Sequence, residues 1–371
     1  MKKVLIAYVS KNKNSGINKY LDNVTNIIRT NYKDIKFDFL TSDEDDDLKE
    51  YIEHNGGRLL KISSLKEPLK RYNEIRQIMR KNKYDIVYIN ISESFNICTA
   101  LAAKKENIQR IVIHSHGAGP SGNNFFIRLF RICLNFAFKK ILSDCGTVLL
   151  GCSKKAGIWM FGKKNVKSNR FHVINNTINL SKYEHDIDNR IKYRKKYNIN
   201  ENDIVLGNIG NFLPAKNQIF LLKVLKKLVK KGDYKLILIG SGQLESKFKK
   251  YIKKEKIEDK VAFTGPINNV NEVLQAMDIF AFPSTYEGFG IAALEAQAAG
   301  LLTILSYKVP EDVIVSYNTI RLPLNEKKWI RYIMNVKKED IKNIKLMNKI
   351  YEFDNSNVKQ YEYIMGGNEN E

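Results

Sequence analysis

The stretch that decides the fold is Pro283-Ser284-Thr285-Tyr286-Glu287-Gly288-Phe289-Gly290-Ile291-Ala292-Ala293-Leu294-Glu295-Ala296-Gln297-Ala298-Ala299-Gly300. The run before it, residues 278–282, is apolar and aromatic and stops at a proline, which predicts a buried strand. The residues after Gly290 are strong helix formers, and Gly300 stands where a helix C-cap is expected. We therefore predict a strand, a turn and a helix.

This turn places two carboxylates beside a predicted anion site. The first N–H groups of a helix have no intrahelical partner and favour a negatively charged group. Glu287 lies at the mouth of this site, and Glu295 lies more than one turn into the helix, where it can reach a hydroxyl group. A phosphate with a carboxylate for a sugar hydroxyl nearby is what a nucleotide-sugar site requires. The alternative is an ordinary strand–turn–helix whose glutamates face solvent.

Composition predicts a globular chain with two domains. The 371 residues are 43% hydrophobic, and no apolar run approaches the roughly 20 residues that span a bilayer. The four cysteines have no metal-binding spacing, so we expect core thiols in a reducing cytoplasm. The net charge of +22 favours anionic partners. Lysines are spread over nearly every predicted helix, however, and no nucleic-acid-binding module is present, so nucleic acid is not a predicted partner.

Strand-like runs alternate with helical runs along the chain, which favours parallel sheets with helices on both faces. The predicted strands are residues 4–9, 35–40, 86–91, 111–113 and 147–150, and then 204–209, 235–239, 261–263, 279–282 and 302–305. The polar, charged segment 181–202 predicts the boundary between two domains. The acidic run 43–47 is interpreted as the solvated start of a helix rather than a metal site.

The 283–300 stretch resembles the Glu-x7-Glu signature of the retaining, GT-B-fold glycosyltransferases of family 4. It is most similar to the branch that builds capsular polysaccharides and exopolysaccharides. The resemblance implies two doubly wound Rossmann-like domains facing each other across a cleft: residues 1–180 for the acceptor and residues 181–350 for the nucleotide sugar. Residues 351–371 would form a helix that crosses back to the first domain. No metal and no cofactor are implied; the substrate is a nucleotide diphosphate sugar, with a UDP-sugar favoured.

The segment 207–218 resembles the part of the family that grips the donor diphosphate with an arginine and a lysine. Lys216 matches the lysine, and Asn217 lies beside it as a second candidate ligand. The arginine position is Asn211, which cannot supply a bidentate charged contact. This departure could cost roughly tenfold in affinity for the diphosphate.

The resemblance also implies a role for each of the other candidate residues. Lys216 and the amides around Phe289 would stabilise the charge on the diphosphate, Glu287 would position the transferred sugar, and Glu295 would accept hydrogen bonds from the ribose. His116, with His114 as second choice, would orient the sugar from the first domain. The remaining candidates for nucleotide-sugar binding are Gly16, Gly265, Gly288, Gly290 and Ile291.

Residues 125–140 are aromatic, basic and long enough for a helix. They are apolar around most of the helix circumference, so we predict a core helix of the first domain, with a membrane interface as the alternative. The high positive charge keeps contact between the first domain and an anionic membrane surface open.

The sequence thus predicts a cytoplasmic enzyme that extends a lipid-linked or glycan acceptor. Association with the inner face of the cell membrane stays open. Two alternatives remain. One is a GT-B nucleotide-sugar 2-epimerase, and the other is a non-catalytic nucleotide-sugar-binding partner subunit, which Asn211 favours.

Overall fold

The structure is a computed structural model that describes residues 1–9, 16–32, 34–42, 46–120, 125–342, 345–353 and 359–366. The chain forms two compact units. Unit 1 consists of Met1–Thr177 and Asn355–Glu371, and unit 2 consists of Ile178–Asp354. These points lie three and four residues from the divisions predicted after residues 180 and 350. The predicted boundary segment 181–202 is not a linker, because it belongs to unit 2 and contains the helix Ile187–Lys196.

Unit 1 is built on a parallel sheet of seven strands in the order β3-β2-β1-β4-β5-β6-β7. The strands are β1 Lys2–Ala7, β2 Ile35–Thr41, β3 Gly57–Lys61, β4 Ile86–Ile91, β5 Arg110–Ser115, β6 Val148–Gly151 and β7 Phe171–Val173. The helices between them are α1 Gly16–Asn31, α2 Asp46–His54, α3 Pro68–Asn82, α4 Cys98–Lys105, α5 Phe125–Cys145 and α6 Lys154–Val166. The strand order reverses direction between β1 and β4, as in a doubly wound fold.

Strand β1, which lies between β2 and β4, shows how helices cover both faces of this sheet. Leu5 and Ala7 belong to one buried cluster, which also contains Ile75 of α3. Val4 and Ile6 belong to a second cluster on the opposite face. Successive side chains of a strand point to opposite faces, so a strand apolar at every position is one covered on both sides.

Unit 2 is built on a parallel sheet of six strands in the order β10-β9-β8-β11-β12-β13. The strands are β8 Ile204–Ile209, β9 Tyr234–Ile239, β10 Val261–Gly265, β11 Ile279–Phe282, β12 Leu302–Ser306 and β13 Thr319–Leu322. The α-helices are α7 Ile187–Lys196, α8 Gln218–Leu228, α9 Glu245–Glu255, α10 Val270–Leu274, α11 Ile291–Ala298, α12 Glu326–Asn335 and α13 Lys338–Lys342. Short 3-10 helices lie at Leu180–Tyr183, Pro214–Lys216, Glu258–Lys260, Glu311–Val313 and Asn348–Phe353.

The last helix described, α14 Lys359–Met365, packs on unit 1. The hydroxyl groups of Tyr361 and Thr177 are 2.8 Å apart and buried. Arg110 donates hydrogen bonds to the carbonyl oxygens of Ile364 and Tyr363, at 3.0 Å and 2.9 Å. These contacts join α14 to β5 and to Thr177, the last residue of the first segment of unit 1.

The prediction of a core helix over residues 125–140 is wrong for the outer side of α5. Phe126 and Phe136 are 78% and 73% exposed, and Cys133, expected to be a core thiol, is exposed as well. Asn135 and Leu142 are buried on the other side, where α4 and α6 pack. A helix that is apolar all round is predicted to be buried, but among the described residues the neighbouring elements pack against one side of α5.

The acidic run 43–47 lies partly outside the described residues, since description resumes at Asp46. Asp46 and Asp47 occupy the first turn of α2, where the helix dipole favours negative charge.

Of the helices in the described ranges, none combines the length and the apolar character needed to cross a membrane.

A buried charge network fixes α7 against the start of β11. Asp278 accepts from Arg190 at 2.7 Å and from Arg194 at 3.4 Å, and its Oδ2 also accepts from the Val205 amide at 2.8 Å. The side chains of Asp278 and Arg194 are 7% and 8% exposed. Removing one partner of such a pair leaves the other charge buried and unpaired, which strongly destabilises the folded state.

We predict that Asp278→Ala lowers the free energy of unfolding of unit 2 by about 3 kcal/mol, because Arg194 loses its carboxylate in a buried site. The control is Asp259→Ala, which removes a carboxylate that is 71% exposed beside Lys260 and should change stability by less than about 1 kcal/mol. Urea unfolding followed through the fluorescence of Trp329 in a Trp159→Phe background measures both. Equal losses in the two variants would contradict the assignment.

Candidate functional site

The predicted donor residues lie in the loops that follow β8 and β11. These strands are neighbours in the sheet, with Leu206 opposite Ile279 and Gly207 opposite Phe280. The strand order runs outward in both directions from this pair, so it marks the topological switch point of unit 2. Ligands of open α/β sheets bind beyond the carboxyl ends of the strands at such a point.

Hydrogen bonds join these two loops directly. The Thr285 amide donates to the Ala215 carbonyl at 2.8 Å, and the Asn217 side-chain amide donates to the Pro283 carbonyl at 3.2 Å. Asn217 has left-handed backbone angles, φ 54° and ψ 36°, which asparagine tolerates better than most residues. The two contacts fix the position of the intervening residue, Lys216, relative to the β11 loop.

Lys216 and Glu287 form an ion pair across the switch point. Lys216 Nζ lies 2.6 Å from Glu287 Oε1, and the hydroxyl of Ser284 donates to the same oxygen at 2.7 Å. The ammonium also lies 5.2 Å from the centroid of the Phe282 ring. Glu287 is buried, whereas the Lys216 side chain is 25% exposed. The Lys216 ammonium thus lies at the surface of the site, and the Glu287 carboxylate lies buried behind it.

The β11 loop leads straight into α11. Its N-cap, Gly290, has φ 102° and ψ 55°, a left-handed conformation that favours glycine. The first intrahelical hydrogen bond runs from the Ala293 amide to the Gly290 carbonyl at 2.8 Å. The predicted amide donors Gly288, Phe289 and Ile291 therefore lie in the turn or at the helix start, where a helix attracts anions.

Glu295 lies inside α11, is buried, and has a partner that the sequence did not indicate. Its Oε1 accepts a hydrogen bond from the Tyr183 hydroxyl at 2.8 Å. Burial, and then the charge of Glu295, raises the pKa of Tyr183, so this tyrosine stays protonated and donates. The role of Glu295 toward a ribose stays a prediction.

A glycine loop after β9 completes this side of the site, and the sequence analysis missed it. Gly240 has φ 129°, and a Cβ there would lie 2.4 Å from the Gly210 carbonyl oxygen. The Gly240 amide donates to the Gly265 carbonyl at 3.1 Å. A side chain at Gly265 would project into open space. The loops after β8, β9 and β10 thus meet, and Gly240-Ser241-Gly242 directly after a buried strand was the available signal.

Asn211, at the position where the resemblance implies arginine, is exposed at the carboxyl end of β8. Its carbonyl accepts from the Leu213 amide at 2.8 Å and from the Gln218 side chain at 3.3 Å. Gln218 is fully buried, so the loop backbone is anchored while the Asn211 side chain faces outward.

The histidines of unit 1 lie together, as their two-residue spacing predicts. The rings of His114 and His116 have centroids 4.1 Å apart, and the Tyr20 ring packs against both. His114 Nδ1 lies 2.7 Å from the Tyr88 hydroxyl, which lies 2.9 Å from the Tyr20 hydroxyl. Within the described residues, His114 Nε2 is buried without a hydrogen-bond partner.

His116 is half-buried and held in one tautomer. Its Nε2 lies 2.9 Å from Asn90 Oδ1, which can only accept, so Nε2 carries the proton and Nδ1 keeps its lone pair. Asn90 is itself oriented by a hydrogen bond from its amide to the Ala7 carbonyl. Burial lowers the pKa of His116 to about 3, and burial, then the neighbouring His116, lowers that of His114. Both rings are therefore neutral at pH 7.

Gly16, the remaining candidate, begins α1. The rest of its predicted loop, including Ser15, lies outside the described residues.

The described ranges contain no group of three His, Cys, Asp or Glu side chains that could hold a metal ion.

We predict that the stability of unit 1 falls as the pH drops below about 6.5, the ordinary histidine pKa. Above that value the folded and unfolded chains bind equally few protons at these histidines. Below it these histidines bind protons in the unfolded chain but stay neutral in the folded chain, so stability present at neutral pH is lost. Between about pH 7.5 and about pH 5.5 each histidine contributes a loss of about 1.4 kcal/mol.

Urea unfolding of the chain and of His116→Asn at the two pH values, followed through Trp159 fluorescence in a Trp329→Phe background, measures this loss. The variant should lose about 1.4 kcal/mol less of its stability on acidification than the parent. The same pH dependence in both proteins would contradict the assignment of His116 as a ring that stays neutral in the folded chain.

Comparison with known proteins places the chain among glycosyltransferases. The family model described as "Glycosyl transferases group 1" matches residues 189–353, and the model described as "Glycosyl transferase 4-like" matches residues 19–144. EpsF of Bacillus subtilis (strain 168), which is named as a glycosyltransferase, is 29% identical over 79% of this chain and 77% of its own length. An Escherichia coli UDP-Gal:alpha-D-GlcNAc-diphosphoundecaprenol alpha-1,3-galactosyltransferase is 26% identical over 66% of this chain and 63% of its own length.

Solved structures show the same fold at low sequence identity. HepE of Anabaena, crystallised in complex with UDP-glucose, superposes with a TM-score of 0.79 over 99% of both chains at 17% identity. WaaG, a glycosyltransferase involved in lipopolysaccharide biosynthesis, superposes with a TM-score of 0.68 over 98% of this chain at 15% identity. With two Rossmann-like units of this architecture and both family models matched, the chain belongs to the group 1, glycosyltransferase 4-like family of GT-B glycosyltransferases.

Proposed function

We propose that this glycosyltransferase moves a hexosyl or N-acetylhexosaminyl group from a nucleotide diphosphate sugar, with a UDP-sugar preferred, to a hydroxyl group of a lipid-linked glycan. We propose further that the transfer retains the anomeric configuration and serves the assembly of a capsule or exopolysaccharide. The observation that carries the donor proposal is the Lys216–Glu287 pair at the switch point, beside the start of α11. The acceptor proposal draws on the Escherichia coli relative, whose name specifies a diphosphoundecaprenol-linked sugar.

Binding of the donor is an exchange of partners for Lys216. The ammonium leaves Glu287 for the diphosphate, whose other oxygens meet the amides at the start of α11. Glu287 would then be a buried carboxylate without its cation, which is costly unless new donors arrive. Hydroxyl groups of the transferred sugar supply these donors, so the arrangement favours a diphosphate that carries a sugar over a bare anion.

Transfer breaks the bond between the anomeric carbon and the diphosphate oxygen, and a bond forms between that carbon and the acceptor oxygen on the same face. The acceptor proton passes to the leaving phosphate oxygen. Negative charge therefore grows on the diphosphate during bond breaking, next to Lys216 and the amides of Phe289 and Ile291. Donors already in place at that point lower the barrier because they need little reorganisation.

We propose His116 of unit 1 as a neutral hydrogen-bond acceptor for a sugar hydroxyl. Its Nε2 proton is committed to Asn90, so Nδ1 is the atom available to a sugar hydroxyl. A ring that stays neutral accepts this hydrogen bond throughout the physiological pH range.

A second candidate function is non-catalytic binding of a nucleotide sugar, which Asn211 favours. Where the resemblance implies an arginine, this chain offers a neutral, exposed amide. A hydrogen bond to a charged group contributes about 1.5–3 kcal/mol, against about 1 kcal/mol for a neutral one. A site with Lys216 alone can thus bind the diphosphate yet stabilise the leaving group less.

We predict opposite effects from the two members of the ion pair. Lys216→Gln should weaken UDP binding by roughly tenfold or more, because a charged contact to phosphate is lost. Glu287→Gln should leave UDP binding unchanged or make it tighter, because the lysine no longer has a competing carboxylate. Transfer by Glu287→Gln should fall by roughly a hundredfold.

Calorimetry with UDP and a transfer assay with a panel of UDP-sugars and lipid-linked glycans measure these effects. Glu311→Gln is the matched control, since it removes an exposed carboxylate paired with Arg321 elsewhere in unit 2. If Glu287→Gln weakened UDP binding as much as Lys216→Gln, the exchange of partners would be wrong.

We predict that Asn211→Arg tightens binding of the donor diphosphate by roughly tenfold, because an exposed position can accept the longer side chain and gain a charged contact. If the parent chain is a catalyst, transfer should be measurable before the substitution and faster after it. Turnover absent from the parent for every donor and acceptor pair, with UDP binding intact, would instead support the non-catalytic function.

A further inference from the structure

The outer side of α5 carries an unusual concentration of exposed apolar side chains. Phe126, Phe130 and Phe136 are 78%, 63% and 73% exposed. The exposed large apolar residues of this helix, here called the α5 face, are Phe126, Ile127, Leu129, Phe130, Ile132, Phe136 and Ile141. A contiguous apolar patch of this kind on a soluble protein marks a surface that binds something.

Helical geometry and internal contacts fix the direction of this face. Residues spaced by three or four positions, such as Phe126, Leu129 and Phe130, lie on one side of a helix. Asn135 lies on the opposite side, where its Oδ1 accepts from the Ser94 amide at 3.2 Å and its amide donates to the Trp159 carbonyl at 3.0 Å. These buried hydrogen bonds hold the inner side against the unit, so the apolar side stays outward.

Charge in the segment that carries this face is almost entirely positive, with Arg131 paired to Glu93 at 3.1 Å. Asp144 is the single acidic residue between positions 125 and 170. The basic residues of the same segment are Arg128, Arg131, Lys139, Lys140, Lys154, Lys155, Lys163, Lys164, Lys167 and Arg170. Lys139 Nζ lies 4.8 Å from the centroid of the Phe136 ring, so a cation stands directly beside an exposed aromatic side chain.

We propose that the α5 face docks on an anionic lipid bilayer, with its phenylalanines in the interfacial region and its basic residues against the headgroup phosphates. Aromatic and aliphatic side chains on one side of a helix, flanked by lysine and arginine, are the features of an interfacial helix. Each basic residue near an anionic surface adds to the attraction, and long basic side chains extend toward headgroups while their methylene groups stay apolar.

Charge argues against a second copy of the chain as the occupant of this face. Two copies paired through the α5 face would bring Arg128, Lys139 and Lys140 of one chain close to the same residues of the other. Like charges brought together during desolvation oppose association. An anionic surface removes this penalty and supplies the counter-charge.

The test uses the full chain and vesicles of phosphatidylcholine with or without phosphatidylglycerol, separated by sedimentation. The chain should bind the anionic vesicles, bind the neutral ones much more weakly, and be released by high salt. The double variants Phe126→Ser/Phe130→Ser and Lys139→Glu/Lys140→Glu should each raise the lipid concentration for half-binding by roughly tenfold or more.

Two double variants serve as matched controls. Leu65→Ser/Leu69→Ser removes apolar side chains that are 48% and 79% exposed elsewhere in unit 1, and Lys247→Glu/Lys250→Glu reverses two exposed charges on α9. Both should bind anionic vesicles within about twofold of the parent chain. Since UDP binding is measured separately, failure of the membrane proposal and failure of the donor site give different results.

A second measurement leaves the apolar face unsubstituted. Cys133 is exposed on α5, so an environment-sensitive fluorophore can be attached there in a Cys98→Ser background. Its emission should shift to the blue with anionic vesicles and stay unchanged with neutral ones. Absence of binding by the parent chain, equal loss in the control variants, or self-association that the Phe126→Ser/Phe130→Ser variant abolishes would overturn the proposal.

Discussion

The ion pair between Lys216 and Glu287 is the interaction on which the donor site depends. It forms because two loops from adjacent parallel strands are tied together at Ala215 and Thr285, on either side of the switch point. The pair is partly buried, so breaking it without replacement is unfavourable. A ligand must therefore satisfy both charges at once, which selects for molecules that present a polyanion and hydroxyl groups side by side.

Short-range sequence patterns predicted where the strand and the helix on either side of the β11 loop begin and end. The strand over residues 279–282 has the predicted bounds, and Gly300 has the left-handed φ of 73° expected just after a helix. Lys216 and Glu287 are 71 positions apart in sequence, yet two strand–turn–helix units in one sheet imply that their loops share an edge. The bond between Tyr183 and Glu295 had no such local signal, because it spans 112 positions and joins a 3-10 helix to α11.

Two strands that the sequence analysis did not predict, β3 and β13, were missed for the same physical reason. Strands β3 and β13 lie at sheet edges, and their partial burial leaves no continuous apolar run to detect. The error at α5 is the converse, since its apolar residues are abundant but the elements that the structure describes pack against one side of the helix. Periodicity reports how many faces of an element are apolar, whereas the tertiary fold decides which of them are covered. Apolar surface that stays exposed is then a sign of a partner, and at α5 it lies within the basic segment 125–170.

Donor binding in this account is a transfer of Lys216 from a carboxylate to a phosphate. The most direct measurement is a crystal structure of the chain with a UDP-sugar bound. We predict that Lys216 Nζ lies within hydrogen-bond distance of the diphosphate, that the amides at the start of α11 contact the same group, and that hydroxyl groups of the sugar replace Lys216 on Glu287. A nucleotide bound elsewhere, with Lys216 still on Glu287, would contradict the assignment of the site.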